Sequence, residues 1–177
     1  PGVFLDFVKE TQPKEWEYLE KIHGDKTEQI LLQDLARALD SPHEGCLSVL
    51  RHGFKSFGKL FHVAYFAPAS GLNPETQRLY AANRLTITRQ VRYSPNHHNT
   101  LDVVLGVNGI PVVTIELKNP LTNQTWRNAV KQYKRDRDPN DLIFQFKKRS
   151  LVHFAVDPDE AWMATRLTGA TTHFLPF

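Results

Sequence analysis

Cysteine is nearly absent from this chain, and so is any long apolar run. Cys46 is the only cysteine among 177 residues, so no intrachain disulfide can form and a reducing compartment such as the cytoplasm is expected. No stretch approaches the roughly 20 apolar residues that a membrane helix needs, and no secretory signal is present. We therefore expect a cytoplasmic protein without a membrane partner.

Several motifs that would define a nucleotide-binding or hydrolytic protein are also missing. The chain has no Gly-x-x-x-x-Gly-Lys-[Ser/Thr] loop, no Gly-x-Gly-x-x-Gly turn and no Gly-x-Ser-x-Gly elbow. An ATP site and a serine-hydrolase site are therefore not expected within it. His97 and His98 are adjacent and have no third ligand at a zinc-like spacing, which argues against a zinc site.

What the chain does contain is an ordinary globular composition. It is long enough for one domain with a substantial core, and we expect a single domain over residues 1–177. The net charge of +3 is mildly basic, which permits a polyanion partner without requiring one. Because the chain begins without Met and ends on an apolar run, we expect it to be a fragment of a longer protein.

The alternation of apolar and polar residues predicts both helices and strands. Residues 1–12 are expected to be irregular or strand-like, and helices are expected at 13–22, 25–39, 74–85 and from 122 or 123 to 137. Strands are predicted at residues 47–51, 59–66, 86–93, 101–107, 110–118, 142–146, 151–156 and 161–167.

Residues 101–118 are two β-branched, apolar runs around Asn108-Gly109, which is the strongest short-range signal of a β-hairpin. A plain two-residue loop would turn Asp102 away from Glu116, and a shift by one residue would bring them to the same face. We predict the second register, with Asp102 opposite Glu116 and an irregularity such as a bulge at Pro111.

In that register Asp102, Glu116 and Lys118 share one face at the end of a sheet. Two carboxylates repel each other unless a cation lies between them, and hard oxygen ligands suit Mg²⁺. The lysine can orient an attacking water or stabilise a phosphate as charge develops on it. The alternative interpretation is a solvated hairpin face that carries a glutamate and a lysine.

The predicted helix after this strand is strongly basic. Its cations include Arg127, Lys131, Lys134 and Arg135, which follow directly on the acidic strand and are therefore candidates for contacts with DNA phosphates. Gln132 could reach the same site from this helix. A charge run on a helix is otherwise a solvated face.

Glu28 has two interpretations. Its spacing from Asp25 predicts a capping box, which would make its carboxylate structural. It also lies one turn before the inward stripe of its helix, so it could complete the ligand set of a metal.

These residues resemble a known family of nucleases. Asp102 followed by Glu116-Leu-Lys118 resembles the PD-(D/E)xK signature, without the leading Pro because Leu101 precedes the aspartate. A wider resemblance to the N-terminal region of the R (restriction) subunit of type I restriction-modification enzymes runs through residues 81–85, 101–111, 116–121, 132–139 and 152–157.

The resemblance implies a restriction-endonuclease-like α/β fold, a mixed central sheet flanked by helices. It implies Mg²⁺-dependent cleavage of double-stranded DNA in defence against foreign DNA in a prokaryote, with Asp102 and Glu116 as metal ligands and Lys118 assisting the attacking water. It further implies an ATP-dependent motor that follows this region in the intact subunit, and methylation and specificity subunits as partners. The family often carries Gln-x-x-x-Tyr here; Gln132 matches, but position 136 is Asp and the tyrosine is at 133.

Two alternatives stay open at the level of sequence. One is a stand-alone repair or recombination nuclease of the same fold, which the sequence after residue 177 would separate from a restriction subunit. The other is a non-catalytic docking or nucleic-acid-binding module in which the two acidic residues are structural.

Overall fold

The computed structural model describes every residue, Pro1–Phe177, as two compact units. The first unit comprises Pro1–Thr86 together with the hairpin tip Val107–Ile110, and the second comprises Ile87–Gly106 and Pro111–Phe177. None of the helices has both the length and the hydrophobicity that crossing a bilayer requires.

The first unit is mainly helical. Its helices are α1 (Gly2–Thr11), α2 (Pro13–His23), α3 (Thr27–Asp40), α4 (Gly45–His52) and α5 (Pro74–Ala81), with a short 3₁₀-helix at Gly24–Lys26. The strands β1 (Phe54–Ser56) and β2 (Lys59–Phe61) form a small antiparallel hairpin. Apolar side chains at helical spacing build its core, as in α1, where Phe4, Phe7 and Val8 are all buried.

Two polar side chains hold the turns of the first unit. Gln12, between α1 and α2, donates to the His62 carbonyl at 2.9 Å and accepts from the His62 N–H at 2.7 Å. Asn108, at the hairpin tip, is fully buried and bonds the Arg84 N–H at 2.6 Å and the Val63 carbonyl at 2.8 Å. Buried polar groups are stable only when paired in this way.

The second unit is built on a six-stranded sheet in the order β3-β4-β5-β6-β7-β8. Its strands are β3 (Leu85–Arg92), β4 (Thr100–Val107), β5 (Ile110–Leu117), β6 (Val152–Val156), β7 (Ala161–Ala164) and β8 (Leu175–Pro176). A 3₁₀-helix (Pro120–Thr122) and α6 (Trp126–Arg135) lie in the connection from β5 to β6. β5 and β6 are parallel, whereas β6–β7 and β7–β8 are antiparallel, so the sheet is mixed.

The predicted α/β class, a mixed sheet flanked by helices, is confirmed and is consistent with a restriction-endonuclease-like fold. The core of the second unit packs around the aromatic rings of Tyr133 and Phe144. Tyr133 is fully buried, and its hydroxyl bonds the Thr114 hydroxyl of β5 at 2.9 Å. This contact attaches α6 to the strand that carries Glu116.

Three local predictions are wrong, each for a physical reason. Residues 1–12 include helix α1, whose buried side chains recur every three to four positions. Residues 47–51 lie in helix α4, where Cys46, Val49 and Leu50 are buried at helical spacing. Residues 142–146 form turns rather than a strand, because Ile143 and Phe144 are both buried in one cluster, and a strand would send adjacent side chains to opposite faces.

Candidate functional site: two carboxylates on β4 and β5

The hairpin that carries the candidate site closes with a two-residue turn. Asn108 and Gly109 have φ values of 50° and 81°, the left-handed conformation that a type I′ turn requires. The loop is therefore even in length. The buried residues Ile110, Thr114 and Glu116 are separated by even numbers of residues along β5, so they lie on one face of a regular strand. The irregularity predicted at Pro111 is therefore wrong.

The irregularity lies in β4. Leu101 and Val104 are three residues apart and yet belong to one core cluster, which strict alternation of faces would not allow. The adjacent residues Val103 and Val104 are both buried, so the change of phase lies directly after Asp102. The Asp102 carboxylate accepts a hydrogen bond from the Leu117 N–H at 2.8 Å, so it lies beside the C-terminal end of β5.

Asp102 and Glu116 lie close enough for the charge of one to act on the other, whereas the register that pairs residue 102 with residue 116 stays a prediction. Burial is the main cause that raises the pKa of Glu116, and the negative charge of Asp102 adds to the rise. Two ionised carboxylates that interact repel each other, and a proton on one of them or a cation between them relieves that repulsion. The pair is therefore a site that takes up either a proton or a cation.

Glu116 is fully buried, with 0% of its surface exposed. Its Oε1 accepts hydrogen bonds from Arg137 Nε at 2.8 Å and Nη2 at 2.6 Å, whereas its Oε2 is buried without any hydrogen-bond partner. Burial raises the pKa of Glu116 to about 7, with Arg137 acting in the opposite direction and Asp102 adding to the rise.

Asp102 is half-buried and is oriented by a residue of β3. Gln90 Nε2 donates to Asp102 Oδ1 at 3.2 Å, and the Thr100 hydroxyl donates to Gln90 Oε1 at 3.1 Å. Gln90 has a φ of 51° in the middle of a strand, a conformation that costs free energy for a residue other than glycine. The backbone of β3 is thus bent where its side chain contacts the site.

Neither Lys118 nor Gln132 makes a polar contact with the carboxylate of Asp102 or of Glu116. Lys118 is half-buried directly after β5, and its N–H donates to the Val156 carbonyl at 2.9 Å. Gln132 is half-buried on α6, one residue before the inward-facing Tyr133. The catalytic roles of both residues stay predictions.

The four cations predicted to contact DNA lie on α6. Arg127, Lys131 and Arg135 are exposed and spaced four residues apart, so they form one row along the helix, and Lys134 is half-buried beside them. The helix begins later than predicted: the N-cap is Thr125, not Thr122 or Asn123, and the Asp157 carboxylate accepts from the Trp126 N–H at 2.8 Å. The backbone bond from Trp126 is the first of several that lower the pKa of Asp157.

The structural role predicted for Glu28 is wrong, and its role as a metal ligand stays a prediction. The capping box is wrong, because the N-cap of α3 is Lys26 and no side chain caps it. The Glu28 carboxylate is exposed and bonds Lys9 Nζ at 2.7 Å, within the first unit. No group of three or more His, Cys, Asp or Glu side chains is arranged to hold a metal ion.

Sequence reasoning missed Gln90 and Arg137. Gln90 gave no signal, since its role depends on a backbone conformation that the strand pattern does not predict. Arg137 did give one: it lies four residues after Tyr133 and so continues the inward stripe of α6 just past the helix end.

The second unit, a mixed sheet flanked by helices with two acidic side chains on adjacent strands, is consistent with a restriction-endonuclease-like fold. The model of the family described as "Type I restriction enzyme R protein N terminus" matches residues 7–172, and the chain belongs to this family. No match was found among curated proteins or among solved structures.

Proposed function

We propose that this chain is the Mg²⁺-dependent endonuclease domain of a type I restriction enzyme and cleaves phosphodiester bonds of double-stranded DNA. Membership of the R-protein family supports a role in a restriction system. The observation that carries the chemistry is the pair Asp102 and Glu116, two acidic side chains on adjacent strands with one buried oxygen that has no donor.

The residues fit a divalent cation. Asp102 and Glu116 supply hard carboxylate oxygens, and the unpartnered Oε2 of Glu116 is the atom that lacks a positive neighbour. Bound there, Mg²⁺ would supply Lewis acidity that offsets the charge developing on the phosphate. With only two protein carboxylates, the remaining coordination positions would be left to water and to DNA oxygens, which suits Mg²⁺.

The other residues act on the water and on the DNA. Lys118, two residues after Glu116, would hold the attacking water with its ammonium group, and Gln132 would assist from α6. Arg127, Lys131, Lys134 and Arg135 would contact the phosphate backbone, which positions the duplex without reading its sequence. The DNA target would then be chosen by a separate specificity subunit, alongside a methylation subunit, with ATP bound by a motor outside this chain.

One observation favours a second candidate, a non-catalytic docking module. The Arg137 guanidinium gives Glu116 a buried partner, which is what a purely structural carboxylate would have. The two candidates differ in metal binding. A docking module has no Mn²⁺ site that depends on Asp102 and Glu116, so calorimetric titration of Mn²⁺ into the wild-type chain and into the Asp102→Asn variant separates them.

The activity itself is tested in the intact restriction subunit with its partner subunits, ATP and Mg²⁺, on supercoiled plasmid DNA. Asp102→Ala and Lys118→Ala are expected to abolish cleavage while DNA binding and folding persist. Asp25→Ala, which removes an aspartate of the 3₁₀-helix before α3, is the matched control and should cleave normally. Cleavage by the Asp102→Ala enzyme at the wild-type rate would overturn the proposed function.

A further inference from the structure

Arg137 is the only cation in direct contact with either carboxylate of the candidate site. It is 6% exposed, and it follows α6 by two residues. Its Nε and Nη2 both donate to Glu116 Oε1, and Nη2 also donates to the Thr100 carbonyl at 2.8 Å. Thr100 lies two residues before Asp102, so one guanidinium connects the strand of each carboxylate.

The Arg137 guanidinium is itself fixed in place. Its carbon lies 5.6 Å from the centre of the Tyr93 ring, and Nη1 lies 3.5 Å from the Tyr93 hydroxyl. Tyr93 in turn packs edge-on against Phe144 of the core. A planar guanidinium with two donors on one oxygen is a rigid support for a carboxylate, which a lysine ammonium cannot reproduce.

The two carboxylate oxygens of Glu116 differ in their hydrogen-bond partners, and the difference has a chemical consequence. Both donors of Arg137 go to Oε1, and Oε2 is left buried without a partner in a site that already contains Asp102. A buried anionic oxygen without a donor costs free energy unless a cation reaches it. A metal at Oε2 would therefore not need to displace the arginine.

We infer that Arg137 is a positioning residue: it fixes Glu116 through Oε1 so that Oε2 alone is presented to a divalent cation beside Asp102. The inference rests on the proposed function, because it requires that Asp102 and Glu116 bind a metal. If Arg137 were instead a competitor, its guanidinium would occupy the metal position until a cation displaced it.

The sign of the change in metal affinity separates positioning from competition. Mn²⁺ affinity is measured by calorimetry and by electron paramagnetic resonance of free Mn²⁺ for the wild type and for Arg137→Met, Arg137→Lys and Arg166→Met. Arg166 is an exposed arginine whose guanidinium packs over Phe146, so its variant controls for the loss of one positive charge from the same unit.

We expect Arg137→Met to bind Mn²⁺ at least about tenfold more weakly, because Glu116 loses both donors that orient it. Arg137→Lys should recover part of the affinity, and Arg166→Met should match the wild type. Tighter or unchanged binding by Arg137→Met overturns the inference, because a competitor or a bystander gives that result, and leaves the proposed nuclease function standing.

Two further outcomes are decisive. If the wild-type chain itself binds no Mn²⁺, the metal site is wrong and both the inference and the proposed function are overturned. If Arg137→Met is unfolded by circular dichroism, Arg137→Lys, which leaves Glu116 in place, carries the test. A folded Arg137→Lys that binds Mn²⁺ with wild-type affinity shows that charge alone suffices and contradicts positioning by the guanidinium fork.

Discussion

Arg137 donates two hydrogen bonds to one oxygen of Glu116 and none to the other. The two groups are buried to 6% and 0% exposure, so each depends on the other for its charge to be tolerated. Removing one member of a buried ion pair is strongly destabilising, whereas replacing both by apolar or neutral groups often is not.

This dependence predicts a non-additive effect on stability. Arg137→Met and Glu116→Gln should each lower the free energy of unfolding by about 3 kcal/mol or more, because each leaves the partner without its counter-ion. The double variant should lose clearly less than the sum. Urea denaturation monitored by fluorescence gives the three values, and equal, additive losses would show that the pair contributes no coupling.

The pKa of Glu116 predicts that divalent cations displace a proton. At pH 6 the carboxyl group, with a pKa near 7, is largely protonated, and metal binding requires its ionised form. About nine-tenths of a proton should be released per ion bound at pH 6, and about one-tenth at pH 8.

The measurement is calorimetry of Mn²⁺ binding in two buffers with different ionisation enthalpies. The observed enthalpies should differ strongly between the buffers at pH 6 and converge at pH 8. Identical enthalpies at pH 6 would show that Glu116 is already ionised before the metal binds, as its contact with Arg137 alone would favour.

The hairpin turn and the candidate acidic pair were predictable because both depend on local sequence patterns. Asn108-Gly109 fixes the turn, and the acidic pair stands out against β-branched neighbours. The position of the irregularity was not predictable, since it follows from packing: Leu101 and Val104 are drawn into one cluster with Tyr133, and no local residue type marks that demand.

Short apolar segments were the main source of error in the fold. Residues 47–51 alternate well enough for a strand, and only their neighbour Cys46 completes the helical stripe of α4. Residues 142–146 are apolar enough for a strand, but the core receives Ile143 and Phe144 from a turn. Periodicity over five residues cannot separate these cases, because a strand and a helical turn share too few positions.

The hairpin tip predicts a large effect from a single polar side chain. Asn108 is fully buried, in a left-handed conformation, and its amide bonds Arg84, Val63 and Asn83. Asn108→Ala should lower the free energy of unfolding by about 2–4 kcal/mol, because it leaves these partners without their hydrogen bonds and adds backbone strain.

Asn108→Gly separates the two causes, because glycine adopts the same φ without strain and also lacks the amide. It should retain most of the loss if the hydrogen bonds dominate. Thermal and urea unfolding of both variants provide the comparison. Wild-type stability in Asn108→Gly would show that the amide contacts contribute little and that conformation alone selects this residue.

The burial of His153 predicts that the free energy of unfolding decreases in acid. It is buried on β6, its Nδ1 lies 2.7 Å from the Thr114 hydroxyl, and burial lowers its pKa from 6.5 to about 4. The folded state therefore excludes a proton that the unfolded chain binds below pH 6.5. Its contribution to stability is complete above pH 6.5 and is lost as the pH falls toward 4, by roughly 3 kcal/mol in total.

The test compares the wild type with His153→Gln in urea titrations at intervals from pH 4 to pH 7.5. The wild type should lose stability more steeply than the variant between pH 6.5 and 4, and the two slopes should agree above pH 7. Parallel curves over the whole range would show that His153 titrates as it does in the unfolded chain.

The exposed row on α6 predicts the salt dependence of DNA binding. Arg127, Lys131 and Arg135 lie on one face of the helix, and each contact with a phosphate releases condensed counter-ions from the duplex. Replacing all three by Gln should weaken the binding of a random-sequence duplex and reduce the slope of log K against log salt by about 2.7.

A matched triple variant that replaces Lys14, Lys21 and Lys26, three exposed lysines of the first unit, removes the same charge and should leave the slope unchanged. Binding is measured by fluorescence anisotropy between 50 and 200 mM salt, values at which each lost phosphate contact is resolved. An equal fall in slope for both variants would show that net charge alone drives binding, and the assignment of α6 to the DNA backbone would then be wrong.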